Sequence, residues 1–195
     1  SSLLGSLLGS GTKNINKDAF NEEVDYLGAN LSFGSSSARL NSLSKYFPRL
    51  FEMMADAVQN PLFIQEDFDK EVNILLDGIK SGEKSVDNIA GRMKNLLAYG
   101  KEHPYGEYAS KETVENIKLS DVTNFYNAYF KPNNAYLIIV GDVNFKEVKK
   151  LVNNNFKKWN KGVVPSPTLP EVKNVASTQI DFIDMPNAVQ SNVAV

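Results

Sequence analysis

Asn127-Ala-Tyr-Phe-Lys-Pro-Asn-Asn134 runs straight into Ala135-Tyr-Leu-Ile-Ile-Val-Gly141-Asp142, and the second half of this stretch decides the fold class. It is an apolar run of strand length bounded by Pro132-Asn133 and Gly141-Asp142, which predicts a central strand covered on both faces. Downstream, Phe145, Val148, Leu151, Val152 and Phe156 fall at helical spacing and predict a closing helix. Pro165, Pro167 and Pro170 then stiffen a linker, after which Thr178–Asp184 and Val189–Val195 alternate as strands.

Upstream of that stretch the pattern is mostly helical. Short capped helices begin at Ser110 and Ser120, and the segment Gly100-Lys-Glu-His-Pro-Tyr-Gly106 reads as turns. Ser85–Tyr99 is an amphipathic helix through Ile89, Met93 and Leu96. The helix before it, from about Gln65 to Ser81, buries Phe68, Val72, Leu75 and Ile79. That spacing leaves Glu71 and Gly78 seven apart on a shared neighbouring face. A long helix from about Ser42 carries Leu43, Phe47, Leu50, Phe51, Met54 and Val58 and ends at Asn60-Pro61. Ala29–Ser37 reads as a strand. Asn16 caps a helix striped by Phe20, Val24 and Leu27, and Gly28 stops it. At the start, Leu3, Leu4, Leu7 and Leu8 share a helical face with small residues between them, where Gly5 costs about 1 kcal/mol relative to Ala. Interleaved strands and helices with no Gly-rich phosphate loop predict an α+β fold: a mainly antiparallel sheet with helices packed on one face.

Composition narrows the function classes. The 195 residues are 42% hydrophobic, enough for a real core, and a net charge of −2 gives no overall attraction for nucleic acid or an anionic membrane. No run approaches the roughly 20 apolar residues of a membrane-spanning helix, so no membrane insertion is expected. Lys146, Lys149, Lys150, Lys157, Lys158 and Lys161 read as a solvated helix face, because nucleic-acid binding would want aromatics interleaved on that face. Both ends read as cut from a longer pattern. There is no cysteine, which excludes disulfides and thiolate metal sites and leaves the compartment open.

Several of these stretches together resemble one family. Gly11-Thr12 after an amphipathic helix, Leu27-Gly28-Ala29 before a strand, Asn60-Pro61-Leu-Phe63 before a Glu-rich helix, His103-Pro-Tyr-Gly106, and the opening stretch Asn127–Asp142 follow the order of the insulinase/pitrilysin zinc peptidases. The match covers about residues 1–160. The resemblance implies the half-domain architecture of the insulinase and mitochondrial-processing-peptidase type. It also implies residues 1–160 as a peptidase-like domain truncated at its N-terminal strands, 161–175 as a Pro-containing linker, and 176–195 as strands leading to or shared with the next half-domain.

Active members of that family carry H-x-x-E-H on the helix before Gly-Thr, where two His hold zinc and the Glu activates the metal-bound water. The matching residues here are Ser2-Leu3-Leu4-Gly5-Ser6, so Ser2 and Ser6 stand at the His positions and Gly5 at the Glu position. In the segment Glu71–Gly78, which matches the family's later ligand helix, Glu71 keeps the outer Glu while Gly78 stands at the ligand position. The chain has one His, whereas such a zinc site needs at least two neutral nitrogen ligands. No catalytic residue, metal ligand or cofactor is therefore expected in this chain, and zinc is expected only on an active partner half.

The resemblance makes that chain the non-catalytic half of a zinc metalloendopeptidase, helping to bind extended peptide and to close a chamber with an active half or subunit. The candidate peptide edge is Asn30, Leu31, Ser32, Phe33, Gly34 and Ser35, whose small and polar side chains let another backbone approach. The alternative is an interaction scaffold that has lost peptide binding, with the same stretch an ordinary edge strand protected by polarity. The metal residues of the parent protein could also lie outside this sequence. An extracytoplasmic or organellar setting fits a family of peptide processors. His103, in a Pro-Tyr-Gly turn, reads as structural. A Ser hydrolase lacks a base near Ser2, Ser6 or Ser10 and lacks a Gly-x-Ser-x-Gly elbow. Asp77 and Glu83 lack the alternating Asp/Asn loop of a calcium site.

Overall fold

The computed structural model describes residues 2–186 and 188–193. The chain divides into two compact units, Ser1–Glu71 with Ile117–Pro165, and Val72–Asn116 with Ser166–Val195. The fold is α+β: among the described residues it is mostly helical, with one small antiparallel sheet.

In the first unit, α1 (Ser2–Leu8) buries Leu3, Leu4, Leu7 and Leu8, the face set by their spacing. Gly11 turns the chain in the left-handed region at φ 94°; a Cβ there would lie 2.8 Å from the Lys17 nitrogen, so only glycine fits. Helix α2 (Lys17–Tyr26) starts where the Asn16 side chain accepts from the Ala19 N–H, and Gly28, at φ 60°, follows its end. Strands β1 (Asn30–Phe33) and β2 (Ala38–Asn41) pair antiparallel in the register Asn30 to Asn41 and Phe33 to Ala38. Their pleat sends Leu31, Phe33 and Leu40 onto the core formed by Phe20 and Val24 of α2 with Leu50, Met53 and Ala57 of α3 (Phe47–Gln59). Burying a side chain of this size contributes roughly 1.5–3 kcal/mol, so this cluster anchors the hairpin.

Two later helices close over the far side of α3. The Tyr126 hydroxyl of α4 (Leu119–Tyr129) donates to the carbonyls of Val58 and Gln59, and burial pushes its pKa up to about 12. The Phe156 ring of α5 (Phe145–Phe156) meets Phe51 edge-on, and the Gln59 amide donates to the Asn155 carbonyl. On the surface, the Arg49 guanidinium grips Glu23 through two hydrogen bonds of 2.5 and 2.6 Å. Those hydrogen bonds hold the Glu23 carboxyl below its usual 4.5, against a smaller opposing effect of burial. A lowered folded pKa stabilises at pH values above the unfolded pKa, and that contribution is lost as pH falls through the folded value. The pair is partly exposed, so Arg49→Ala is expected to cost at most about 1 kcal/mol at neutral pH. In urea melts the gap from wild type should close as pH falls through the lowered Glu23 pKa; a gap that persists in acid would assign the effect to packing.

The second unit holds the C-terminal part of α6 (Gln65–Gly82), with α7 (Val86–Tyr99) and α8 (Lys111–Glu115). Ser85 caps α7 and Ser110 caps α8 through a reciprocal pair with Thr113. Between them the 100–106 turn closes by hydrogen bonds from His103 N–H to the Gly100 carbonyl and from Gly106 N–H to the His103 carbonyl. A Cβ on Gly106 would lie 2.0 Å from the Gly100 oxygen, so that glycine is sterically required.

Three sequence expectations are corrected. The run Ala135–Val140 belongs to no ladder among the described residues and is not a doubly covered strand: Tyr136, Ile138 and Val140 are 99%, 85% and 92% exposed. Its apolar pattern signals a segment suited to burial, but pairing is decided by residues remote in sequence. Thr178–Asp184 likewise forms no strand; of Val189–Val195, residues 189–193 form none, while Ala194 and Val195 lie outside the described residues. The helix expected from Ser42 begins instead at Phe47, because a proline is tolerated only in the first turn and a start at Ser42 would put Pro48 in the helix interior.

Candidate functional site

Helix α1 presents Ser2 and Ser6 to solvent one turn apart, on the face opposite the buried leucines, while Gly5 is buried against the Phe33–Gly34 backbone. On α6, Glu71 is half-buried and Gly78 is exposed, with no heavy atom within 4 Å of the place a Cβ would take. These residues do not fit zinc: two hydroxyls and two glycines supply neither an imidazole nor a thiolate. Among the described residues, no three His, Cys, Asp or Glu side chains gather as a metal-binding group.

The turn after α1 is held by a polar network that brings two distant stretches of sequence together. The buried Thr12 hydroxyl accepts from the N–H groups of Asn14 and Ile15 and donates to Asp56 at 2.5 Å. The Asp56 carboxylate also accepts from the Asn14 and Asn60 amides at 2.7 and 2.8 Å, and Lys13 N–H donates to the Asn60 carbonyl. Gly11-Thr12 and Asn60-Pro61 therefore meet in space, joined further by a bridge between Thr12 and Pro61. Asp56 was not singled out by the sequence pattern; its place one turn before Asn60 on a helix that reaches Pro61 was the available signal.

The candidate edge is a true strand over Asn30–Phe33, paired on one side with β2 and on the other with no strand among the described residues. Asn30 and Ser32 are exposed, whereas Leu31 and Phe33 are anchored in the core. Gly34 and Ser35 leave the strand into a tight turn closed by the Gly34 N–H donating to the Ser37 carbonyl at 2.7 Å. His103 is 5% exposed; its Nδ1 accepts from the Tyr105 N–H and its ring stacks on Tyr99, which is a structural role. The lysines of α5 and the residues just after it are exposed, as a solvated face requires. A separate open cleft of about 770 Å³ lies where α3, α4 and α5 end, bordered by Asp56, Phe63, Tyr126, Lys131 and Trp159.

The insulinase family (peptidase family M16) model matches residues 1–104, and the model of the M16 inactive domain matches residues 116–195. The chain is 25% identical to cytochrome b-c1 complex subunit 1, mitochondrial, of Rattus norvegicus over 81% of its own length and 35% of that protein's. It is 22% identical to the zinc protease PqqE of Helicobacter pylori over 83% of its own length and 38% of that protein's. It thus spans little more than a third of these relatives. Among solved structures, a peptidase M16 inactive domain from Pseudomonas fluorescens superposes with TM-score 0.75 at 22% identity, over 88% of this chain and 43% of that one. A protease from Helicobacter pylori gives 0.73 at 21% identity, over 88% and 42%. At this identity the superpositions speak to the fold, and the matched family models to descent: the chain belongs to the insulinase family, peptidase family M16, and carries its inactive-domain type.

Proposed function

We propose that this chain is the non-catalytic half of a zinc metalloendopeptidase, closing a chamber with an active half on the same polypeptide or on a separate subunit, and holding extended peptide along β1. Residues 1–160 act as its peptidase-like part and 161–175 as a linker in this reading. The observation that carries the proposal is the combination of a site that does not fit zinc with a kept strand edge. Strand β1 has one edge without a strand partner among the described residues, small polar side chains beside it, and two core anchors that hold it in place. An extended peptide would add to that edge through backbone hydrogen bonds, the recognised strand-addition mode. Zinc and the hydrolytic water belong to the other half.

A second reading, a scaffold without peptide binding, is favoured by the similarity to a protein named as a subunit of the cytochrome b-c1 complex. Hydrogen exchange separates the two. With an active half of the family present, an unstructured peptide of about 20 residues is expected to slow exchange at the backbone of Leu31–Ser36 about tenfold or more. Unchanged exchange there would favour the scaffold.

A further inference from the structure

We infer that the position matched to the family's general base is closed by packing as well as emptied of chemistry, so that side-chain replacement alone cannot rebuild the centre. A Cβ on Gly5 would lie 2.9 Å from both the Cα and the carbonyl carbon of Gly34, and 3.1 Å from the Phe33 oxygen. Distances under 3 Å are not tolerated by real Cβ atoms, and the obstacle is backbone, not the end of a flexible side chain. That backbone is itself constrained. Gly34 is tied to Ser37 by a 2.7 Å hydrogen bond, a Cβ on Gly34 would lie 3.0 Å from the Ser37 hydroxyl, and Phe33 just before it packs on Phe20. The β1–β2 turn thus sits in the space a residue-5 side chain would need.

The neighbouring matched positions differ. Ser2 and Ser6 are exposed, and Gly78 has open space where a side chain would start. The closure is therefore local to Gly5, and it couples α1 to the turn that follows the candidate peptide edge. This inference stands whether or not β1 takes peptide.

The test rests on the sign of one substitution. Helix propensity alone would make Gly5→Ala raise the melting temperature by about 2–4 °C. Closure predicts the opposite: a fall of about 5 °C, as overpacking pushes the turn away, with about tenfold faster exchange of the Gly34 amide. Ser6→Ala, at an exposed position on the same helix, should stay within about 2 °C of wild type with Gly34 exchange unchanged. Gly5→Glu should lose more stability than Gly5→Ala or fail to accumulate folded. A Gly5→Ala protein that melts at or above wild type, with Gly34 exchange unchanged, overturns the inference.

Discussion

Phe51→Ala is expected to destabilise the first unit by about 3–5 kcal/mol, read as a shift in the urea midpoint without a change of slope. Phe51 is 1% exposed and its ring stands 5.4 Å from Phe47 and 5.7 Å from Phe156, the latter at 88°. It joins α3 to α5 across more than a hundred residues of sequence, so truncation removes both buried area and an edge-to-face aromatic contact. The Gln59 amide bond to the Asn155 carbonyl crosses the same seam, so it should weaken with it. Phe145→Ala is the control: Phe145 is 78% exposed at the start of α5, and its loss should change stability by no more than about 0.5 kcal/mol. Equal effects at the two positions would mean that the α3–α5 seam is not where the unit's cohesion lies.

The contrast between those two phenylalanines also marks how far the sequence could be read. Helices with local signals came through: Asn16 and Ser110 cap the helices they precede, because a cap is decided by a side chain and an N–H two or three residues away, whereas Ser120 lies inside its helix, which starts at Leu119 after Lys118. Phe145 fell on the expected apolar stripe yet is exposed, since periodicity says which face a residue occupies and not whether another element covers it. The same limit applies to Ala135–Val140. Strand β2 was missed because Ala-Arg-Leu-Asn is too short to show alternation and runs into the helical spacing from Leu43, a residue that is 60% exposed.

Of the ordered set of motifs legible in the sequence, each weak alone, the Thr12–Asp56–Asn60 network joins two in space, Gly11-Thr12 and Asn60-Pro61. The closure at Gly5 was not legible. In sequence, Gly5 is only a helix residue of poor propensity; its reason is Gly34, 29 positions away, and no periodicity links them. The same glycine gives α1 its close approach to the hairpin.

This chain is expected to carry out no peptide hydrolysis of its own, and the effect is close to all or none. A zinc-bound water reaches a pKa near 7 against 15.7 in bulk, and a positioned general base contributes typically about 10²–10⁴-fold. The residues at the matched positions, Ser2, Gly5, Ser6 and Gly78, can supply neither effect. The direct measurement is zinc content of the purified chain together with cleavage of an unfolded peptide, with and without a chelator. Zinc well below one equivalent per chain and no chelator-sensitive cleavage are expected; one tightly held zinc per chain, with cleavage abolished by the chelator, would mean that the chain is a peptidase in its own right.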